Sequence, residues 1–352
     1  MPLISVIIPV FNNRTEDIKR CIGSLYNKEF TESVEIILID DGSRAECANA
    51  LDEIATSHTN VKAFHQSNKG VSNARNKGVT FATGDYVAFV DADDMVTKNF
   101  ISDAIYLIEN SNEKMDIIYG FVEYINNCRD ARLFQNDCLQ NKEKELKCIA
   151  LTKNKKELLS CHFFDLSVSE FLWGDYYVSR GPVARLVRRV LAREHMFDEA
   201  LSMGEDEVWN QELLKYAVDV GVAKRLWYFY IKNLQSVSHS FNKNSIVQND
   251  NRNQKLAEYA INDNLKACLL NKIISNAIGL AKGYFLIENN FDDIFTASRE
   301  FNKLFSREPW KQVLRCQYAY RAGAKCLLKY VLIKMGVLLF AIKFKMLFVK
   351  ND

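Results

Sequence analysis

The first hundred residues alternate strand and helix signals, and that alternation limits the chain to few architectures. Leu3 to Val10 is an almost unbroken apolar run, the mark of a strand covered on both faces. Thr15 is placed to cap a helix whose apolar stripe is Ile18, Ile22, Leu25 and Tyr26. Val34 to Ile39 reads as a second strand, and the helix after it carries Leu51, Ile54 and Ala55 on one side. Val61 to Phe64 is a short third strand, Ser72 is a cap candidate for a third helix, and Tyr86 to Val90 is a fourth strand. Units of this kind predict a parallel sheet wound from right-handed βαβ crossovers.

In an open parallel sheet the C-terminal strand ends share one edge, where ligands bind. The residues predicted there are polar. Phe11-Asn12-Asn13 follow the first strand, Asp40-Asp41-Gly42-Ser43 the second, Gln66-Ser67-Asn68 the third and Asp91-Ala92-Asp93-Asp94 the fourth. Groups scattered along the sequence therefore converge in space.

Beyond this half, residues 126–160 are charged and weakly patterned, and read as a surface excursion. A second ordered block runs from Phe171 to about Phe241, with a helix from Glu207 to Val218 and an aromatic strand from Leu226 to Ile231. From Asn242 the chain reads as purely helical. The expected division is residues 1–241, made of halves 1–95 and 96–241, followed by a helical region 242–352.

With 48% apolar and 26% charged residues the chain is not a disordered one. A formal net charge of +2 excludes a generally cationic nucleic-acid binder. Nine cysteines, odd in number and without a CxxC pair, read as reduced thiols. Met1 to Phe11 lacks a basic n-region and a cleavage site, so it reads as a strand and not a signal peptide. These features point to a cytoplasmic location.

Asp91-x-Asp93 sets two carboxylates at a strand end, where mutual repulsion and desolvation call for a cation. Hard oxygen ligands favour Mg²⁺ or Mn²⁺, ions that also bind substrate phosphates. A solvated acidic turn is the bland alternative. Asp40-Asp41-Gly42-Ser43 is either a nucleobase reader or a turn with Ser43 capping the next helix. Asn68 to Asn76 brings backbone N–H groups at a helix start together with Lys69 and Arg75, which suits a diphosphate. Glu205, Asp206 and Glu207 open a helix, where acids also favour the macrodipole without any chemistry. His239 is a metal-ligand candidate or a structural histidine.

Taken together these segments resemble glycosyltransferase family 2, whose members share the GT-A fold. The resemblance lies in Ser5 to Asn12, Ile39 to Ser43, Asn68 to Gly78 and Ala82 to Asp94, in that order. It continues more loosely through Ala184 to Arg189, Phe197-Asp198-Glu199 and Gly204-Glu205-Asp206, and ends near His239. It implies a Rossmann-like, mixed but mostly parallel α/β sheet flanked by helices, with a helical C-terminal extension. It also implies an inverting, metal-dependent transfer from a nucleotide-sugar, a UDP-sugar by preference, to a glycan or lipid-linked acceptor. By the same resemblance Pro9, Phe11 and Asp41 line the nucleoside site, and Asp91 meets the ribose or diphosphate. Asp93 and His239 hold Mn²⁺ or Mg²⁺, Asp206 is the catalytic base, and Arg185 takes a phosphate. Asp94 is given no role.

After Glu308 no acid occurs until Asp352, while nine basic residues from Lys311 to Lys350 alternate with apolar ones. No stretch reaches the ~18 apolar residues a bilayer span needs. Residues 320–352 are therefore expected to lie on an anionic membrane surface, peripheral on the inner face. Packing on the catalytic domain, or in a homodimer, is the alternative. Two other enzyme classes fail on the first loop: Phe11-Asn12-Asn13-Arg14 is neither a GxGxxG nor a nucleotidyltransferase signature. A non-catalytic sugar-nucleotide or partner-binding module is the remaining alternative.

Overall fold

The computed structural model describes residues 2–110, 114–126, 146–164, 172–173, 176–232, 243–287 and 290–349. The chain falls into two compact units, residues 1–159 with 169–234, and residues 160–168 with 235–352.

The first ninety residues of the first unit show the strand–helix alternation that the sequence predicts. β1 (Ile4–Val10) and β2 (Val34–Asp40) are apolar almost throughout because both faces are covered. β1 pairs in parallel with β2 and with β4 (Tyr86–Phe89), and β2 with β3 (Val61–His65). The intervening helices are α1 (Thr15–Leu25), α2 (Ala45–Ser57) and α3 (Val71–Phe81). Their capping differs from expectation: Arg14, Arg44 and Gly70 occupy the N-cap positions, none with a side-chain cap bond. Ser43 is occupied elsewhere, its hydroxyl accepting from the Asn12 amide at 2.9 Å.

After β5 (Met95–Val96) and α4 (Phe100–Asn110) comes β6 (Ile117–Ile125). β7 (Ile149–Ala150) and α5 (Lys153–Phe164) give regular structure within the segment expected to be a surface excursion, whose residues 127–145 lie outside the described ones. β8 (Leu172–Trp173), β9 (Tyr176–Tyr177), β10 (Arg185–Arg188), α6 (Arg189–Glu194), α7 (Glu205–Tyr216) and β11 (Val220–Ile231) complete the unit.

The main strand order is β3-β2-β1-β4-β10-β6-β11-β5. β10 runs antiparallel to both neighbours, β4 and β6, and β11 runs parallel to β6. β1, β2, β3, β4, β6 and β11 thus all point one way, and their C-terminal ends share an edge. This is the mixed, mostly parallel sheet expected. The core lies on its two faces under the helices, with Ile4, Val6, Ile8, Leu38 and Ala88 buried on one and Ile7, Ile37, Ile39, Val87 and Phe89 on the other.

The second unit is helical among the described residues: α8 (Lys243–Tyr259), α9 (Asp263–Leu280), α10 (Ile294–Lys303), α11 (Trp310–Val313), α12 (Cys316–Arg321), α13 (Ala324–Lys334) and α14 (Leu338–Val349). The side chains of Asn262 and Asp293 accept from first-turn amides of α9 and α10, the satisfaction a helix start requires. Leu269, Leu270, Ile273, Ile274, Phe301 and Trp310 are buried within it. No described helix is long and apolar enough to cross a membrane.

Candidate active site

The predicted strand-end residues do gather on that edge, but they divide into two kinds. At Asp41 both carboxylate oxygens are spent on the fold. One carboxylate oxygen accepts from the Lys69 amide and the Gln66 side chain, each at 2.8 Å, and the other accepts from the Gly70 amide at 2.8 Å. Asp41 is buried and fastens the 66–70 segment to the end of β2. Gly42 has φ +76°, and a Cβ there would stand 2.6 Å from the Asn68 amide nitrogen, so only glycine fits. Asp40 accepts from the Ser43 amide and pairs with His65 at 2.8 Å. Burial raises its carboxyl, yet those hydrogen bonds outweigh burial and hold its pKa below the ordinary value. Above this tied floor Pro9 is half-buried and Phe11 and Asn68 are exposed, the side chains available to a base or a phosphate.

The Asp91–Asp94 turn is different. Asp94 is buried, with one oxygen accepting from the Tyr228 hydroxyl at 2.7 Å and the other from the Ile231 amide at 2.8 Å. That gives Asp94 its role: it ties the turn to β11. Arg20 of α1 donates to the Asp93 carbonyl at 2.6 Å, and Asp17 holds Arg20. The Asp93 carboxyl is pushed above its ordinary value by burial and then by the charge of Asp91. Burial and Asp91 push Asp94 well above it too. Excess negative charge at a strand end, on hard oxygen donors, fits Mn²⁺ or Mg²⁺. Among the described residues no group of three or more histidine, cysteine or acidic side chains gathers into a metal site. His239 lies outside the described residues. Asp91 and Asp93 would supply two carboxylates, the number such ions take when substrate phosphates complete the shell.

Arg75 joins this turn to the second half of the unit. Its guanidinium reaches Asp91 and Glu205 at 3.2 Å each and lies 5.3 Å from the Phe197 ring centre. It is buried, so its charge serves this bridge. Glu205 opens α7, with Gly204 as N-cap at φ +75°. The next residue, Asp206, accepts from the Glu207 amide at 2.9 Å. Burial, then Glu205 and Glu207, push Asp206 up to about 7 against the pull of Arg75. A carboxylate with a pKa near neutrality is what a general base needs.

Arg185 is fully buried, and its donors are occupied inside the protein. The guanidinium donates to the carbonyls of Ser179 and Gly181 and to Asn210 of α7, over the Tyr119 ring at 4.8 Å. The expected phosphate contact is not what these bonds do. They hold the 179–181 turn against the helix that carries Asp206.

Several site-building residues carry no signal readable before the fold is known. Arg20 is such a residue, and so is Tyr228. Asn73 and Asn76 lie in the Asn68 to Gly78 segment with no role expected for them, and the structure gives them one. They donate to Glu199 at 2.8 and 2.9 Å, while Asn76 exchanges bonds with the Phe197 backbone.

Residues 5–165 match the family profile described as Glycosyl transferase family 2. The uncharacterized glycosyltransferase EpsJ of Bacillus subtilis is 29% identical over 244 residues, 68% of this chain and 63% of its own length. The minor teichoic acid biosynthesis protein GgaA of Bacillus subtilis is 25% identical over 290 residues, 81% of this chain and 58% of its own. The chain thus spans less than two-thirds of these curated relatives. Among solved structures, TarS 1–349 of S. aureus superposes with a TM-score of 0.66 at 17% identity, covering 100% of this chain and 92% of that one. The same segment in complex with UDP-GlcNAc gives 0.65 at 15% identity, covering 100% and 93%. At such identity the likeness shows the fold. Strand order, strand-end motifs and the matched profile agree: residues 5–165 form a glycosyltransferase family 2 domain, on a GT-A fold.

Proposed function

We propose that this chain is an inverting glycosyltransferase. It moves a sugar from a nucleotide-sugar, a UDP-sugar in our reading, to an acceptor hydroxyl during assembly of a bacterial cell-surface polysaccharide or other glycan. The observation that carries this is the Arg75 bridge, which joins Asp91, beside the under-compensated Asp93, to Glu205, the neighbour of a carboxyl poised near neutrality. The UDP-GlcNAc complex of TarS and the teichoic acid assignment of GgaA support the donor class and the kind of product.

In this mechanism Pro9, Phe11 and Asn68 bound the nucleotide over the floor that Asp41 fastens. Asp206 accepts the proton of the acceptor hydroxyl as its oxygen attacks the anomeric carbon from the face opposite the nucleotide. The new C–O bond forms as the bond to the diphosphate breaks, and the electron pair leaves with the nucleoside diphosphate. Mn²⁺ or Mg²⁺ on Asp93 and Asp91, with His239 as a further ligand, would neutralise charge on that diphosphate. Arg75 and Arg185 position these groups. A UDP-release assay with UDP-GlcNAc and related UDP-sugars tests the reading. Slow donor hydrolysis that requires Mn²⁺ is expected; a folded protein that binds a UDP-sugar without ever hydrolysing it favours a non-catalytic sugar-nucleotide-binding module, and one that binds none favours a partner-binding module.

The acceptor is lipid-linked in this reading, and the second unit carries the feature that supports it. α13 buries Cys326 and Ile333 on one side, while Leu328, Val331 and the C-cap residue Met335 are exposed on another, at spacings of three and four. Lys325, Lys329 and Lys334 border that stripe in a segment without acids. An apolar stripe bordered by lysines suits an anionic leaflet, and would hold the enzyme on the cytosolic face of the membrane. Flotation with phosphatidylglycerol vesicles should be lost in L328E/M335E and absent with phosphatidylcholine alone. Flotation unaffected by the substitutions would move the contact elsewhere.

A further inference from the structure

Three tyrosines outside the machinery described so far come together beside the acidic turn. Tyr124 near the end of β6 and Tyr230 near the end of β11 are register partners. Their rings lie 4.9 Å apart, and the Tyr177 ring from β9 stacks on Tyr124 at 5.6 Å with 21° between planes. Tyr230 sits between two residues that hold Asp94, since the Tyr228 hydroxyl and the Ile231 amide each donate to that carboxylate. Side chains two apart on a strand share a face, so Tyr230 lies on the side from which Tyr228 reaches the turn. Burial, then the charges of Asp94 and Asp91, raise its phenol pKa, consistent with that proximity.

Their exposure sets two of the rings apart from the core aromatics around them. Tyr228 and Phe229 are buried, whereas Tyr124 is 45% and Tyr230 36% exposed. Three neighbouring aromatic side chains at a strand end, two of them wet, are more than the sheet needs to pack. Each presents an apolar ring with a hydroxyl at its rim. A ligand matched to that surface has an apolar C–H face and hydroxyls around its edge, which describes a sugar ring. An alkyl chain would be served better by an enclosed aliphatic groove, and a nucleobase already has the opposite end of the edge, by Pro9 and Phe11.

We propose that Tyr124, Tyr230 and Tyr177 form a stacking platform for a sugar ring of the acceptor, beside the donor site. The acceptor would then be recognised as a glycan, through the residue that receives the new sugar or its neighbour, and not through a lipid alone. This rests on the transferase reading above, and the test separates the two.

Saturation-transfer NMR of the full-length protein with UDP bound would use a panel of methyl and p-nitrophenyl glycosides, with octyl phosphate as the alkyl control. Ring protons of at least one glycoside should receive saturation in the wild type. Tyr124→Ala should weaken that glycoside's apparent affinity about tenfold, the scale of one lost aromatic contact. Tyr124→Phe should keep it, which a role resting on the hydroxyl would not allow. UDP affinity measured on the same preparations reports folding of the nucleotide half. The platform is overturned if no glycoside is saturated, if Tyr124→Ala binds as the wild type does, or if octyl phosphate alone shows the loss. Absence of UDP binding in the wild type would instead remove the transferase reading and leave the glycoside result to judge the platform.

Discussion

Two acidic turns lie at the same sheet edge, Asp40-Asp41 after β2 and Asp91 to Asp94 after β4, and the protein treats them in opposite ways. At the first, backbone amides, Gln66 and His65 use up both carboxylates, and Asp40 sits below its ordinary pKa. At the second, compensation stops short: Asp94 is tied into β11, but Asp93 is left with burial and a like-charged neighbour. The first turn is fastened by its own hydrogen bonds. The second carries negative charge that its surroundings leave under-compensated. The acidic opening of α7 belongs with the second, because Asp206 is raised by burial and by its own neighbours.

The largest expected effect follows from that last grouping. Asp206→Asn should lower transfer by about 10³-fold, in the range lost with a general base, while UDP-sugar binding persists. In the wild type kcat/KM should fall as pH drops below about 7, where Asp206 takes up its proton. Near-normal turnover in the variant would remove Asp206 as base and break the grouping.

The next effect is on stability. Asp41→Ala leaves the Lys69 and Gly70 amides without their acceptor and should cost about 3 kcal/mol, seen as a lower midpoint in thermal unfolding. Asp93→Asn should not destabilise, since it removes a charge that burial disfavours. Equal losses for the two variants would abolish the distinction between the turns.

The smallest effect is a pH-dependent one. The Asp206 pKa is raised on folding, so the charged form is disfavoured in the native state, and stability is lost as pH rises toward and through about 7. Asp206→Asn should therefore raise the unfolding midpoint at pH 8, with the gain shrinking toward pH 5 where the wild-type carboxyl is protonated. Comparison of the midpoints at the two pH values checks the sign.

Much of the architecture was legible because β1 and β2 are apolar enough to announce two-sided burial, and the helix stripes between them fix the crossovers. The sharing of one edge by Asp41, Asn68 and Asp91 followed from topology alone. What could not be read is which carboxylate the fold consumes, since that depends on partners far away in sequence. Asp94 is met by Tyr228 and Arg75 by Glu205, at separations of 134 and 130 residues. Arg185 shows the same limit: a cation in a strand looks available for a phosphate until the 179–181 carbonyls and Asn210 enclose it. Helix starts differ from the expected caps by one or two residues, because Arg14, Arg44 and Gly70 are N-caps without a side-chain acceptor and leave no capping signature.

In the proposed mechanism the Asp91–Asp93 turn recruits a cation to hold a nucleotide-sugar diphosphate. Calorimetric titration of UDP-GlcNAc into the wild type and Asp93→Asn, with Mn²⁺ and with EDTA, tests it directly. Saturable binding in the wild type that depends on Mn²⁺ and weakens at least tenfold in the variant is the predicted result. Binding of equal strength in EDTA, or in Asp93→Asn with Mn²⁺, would contradict it.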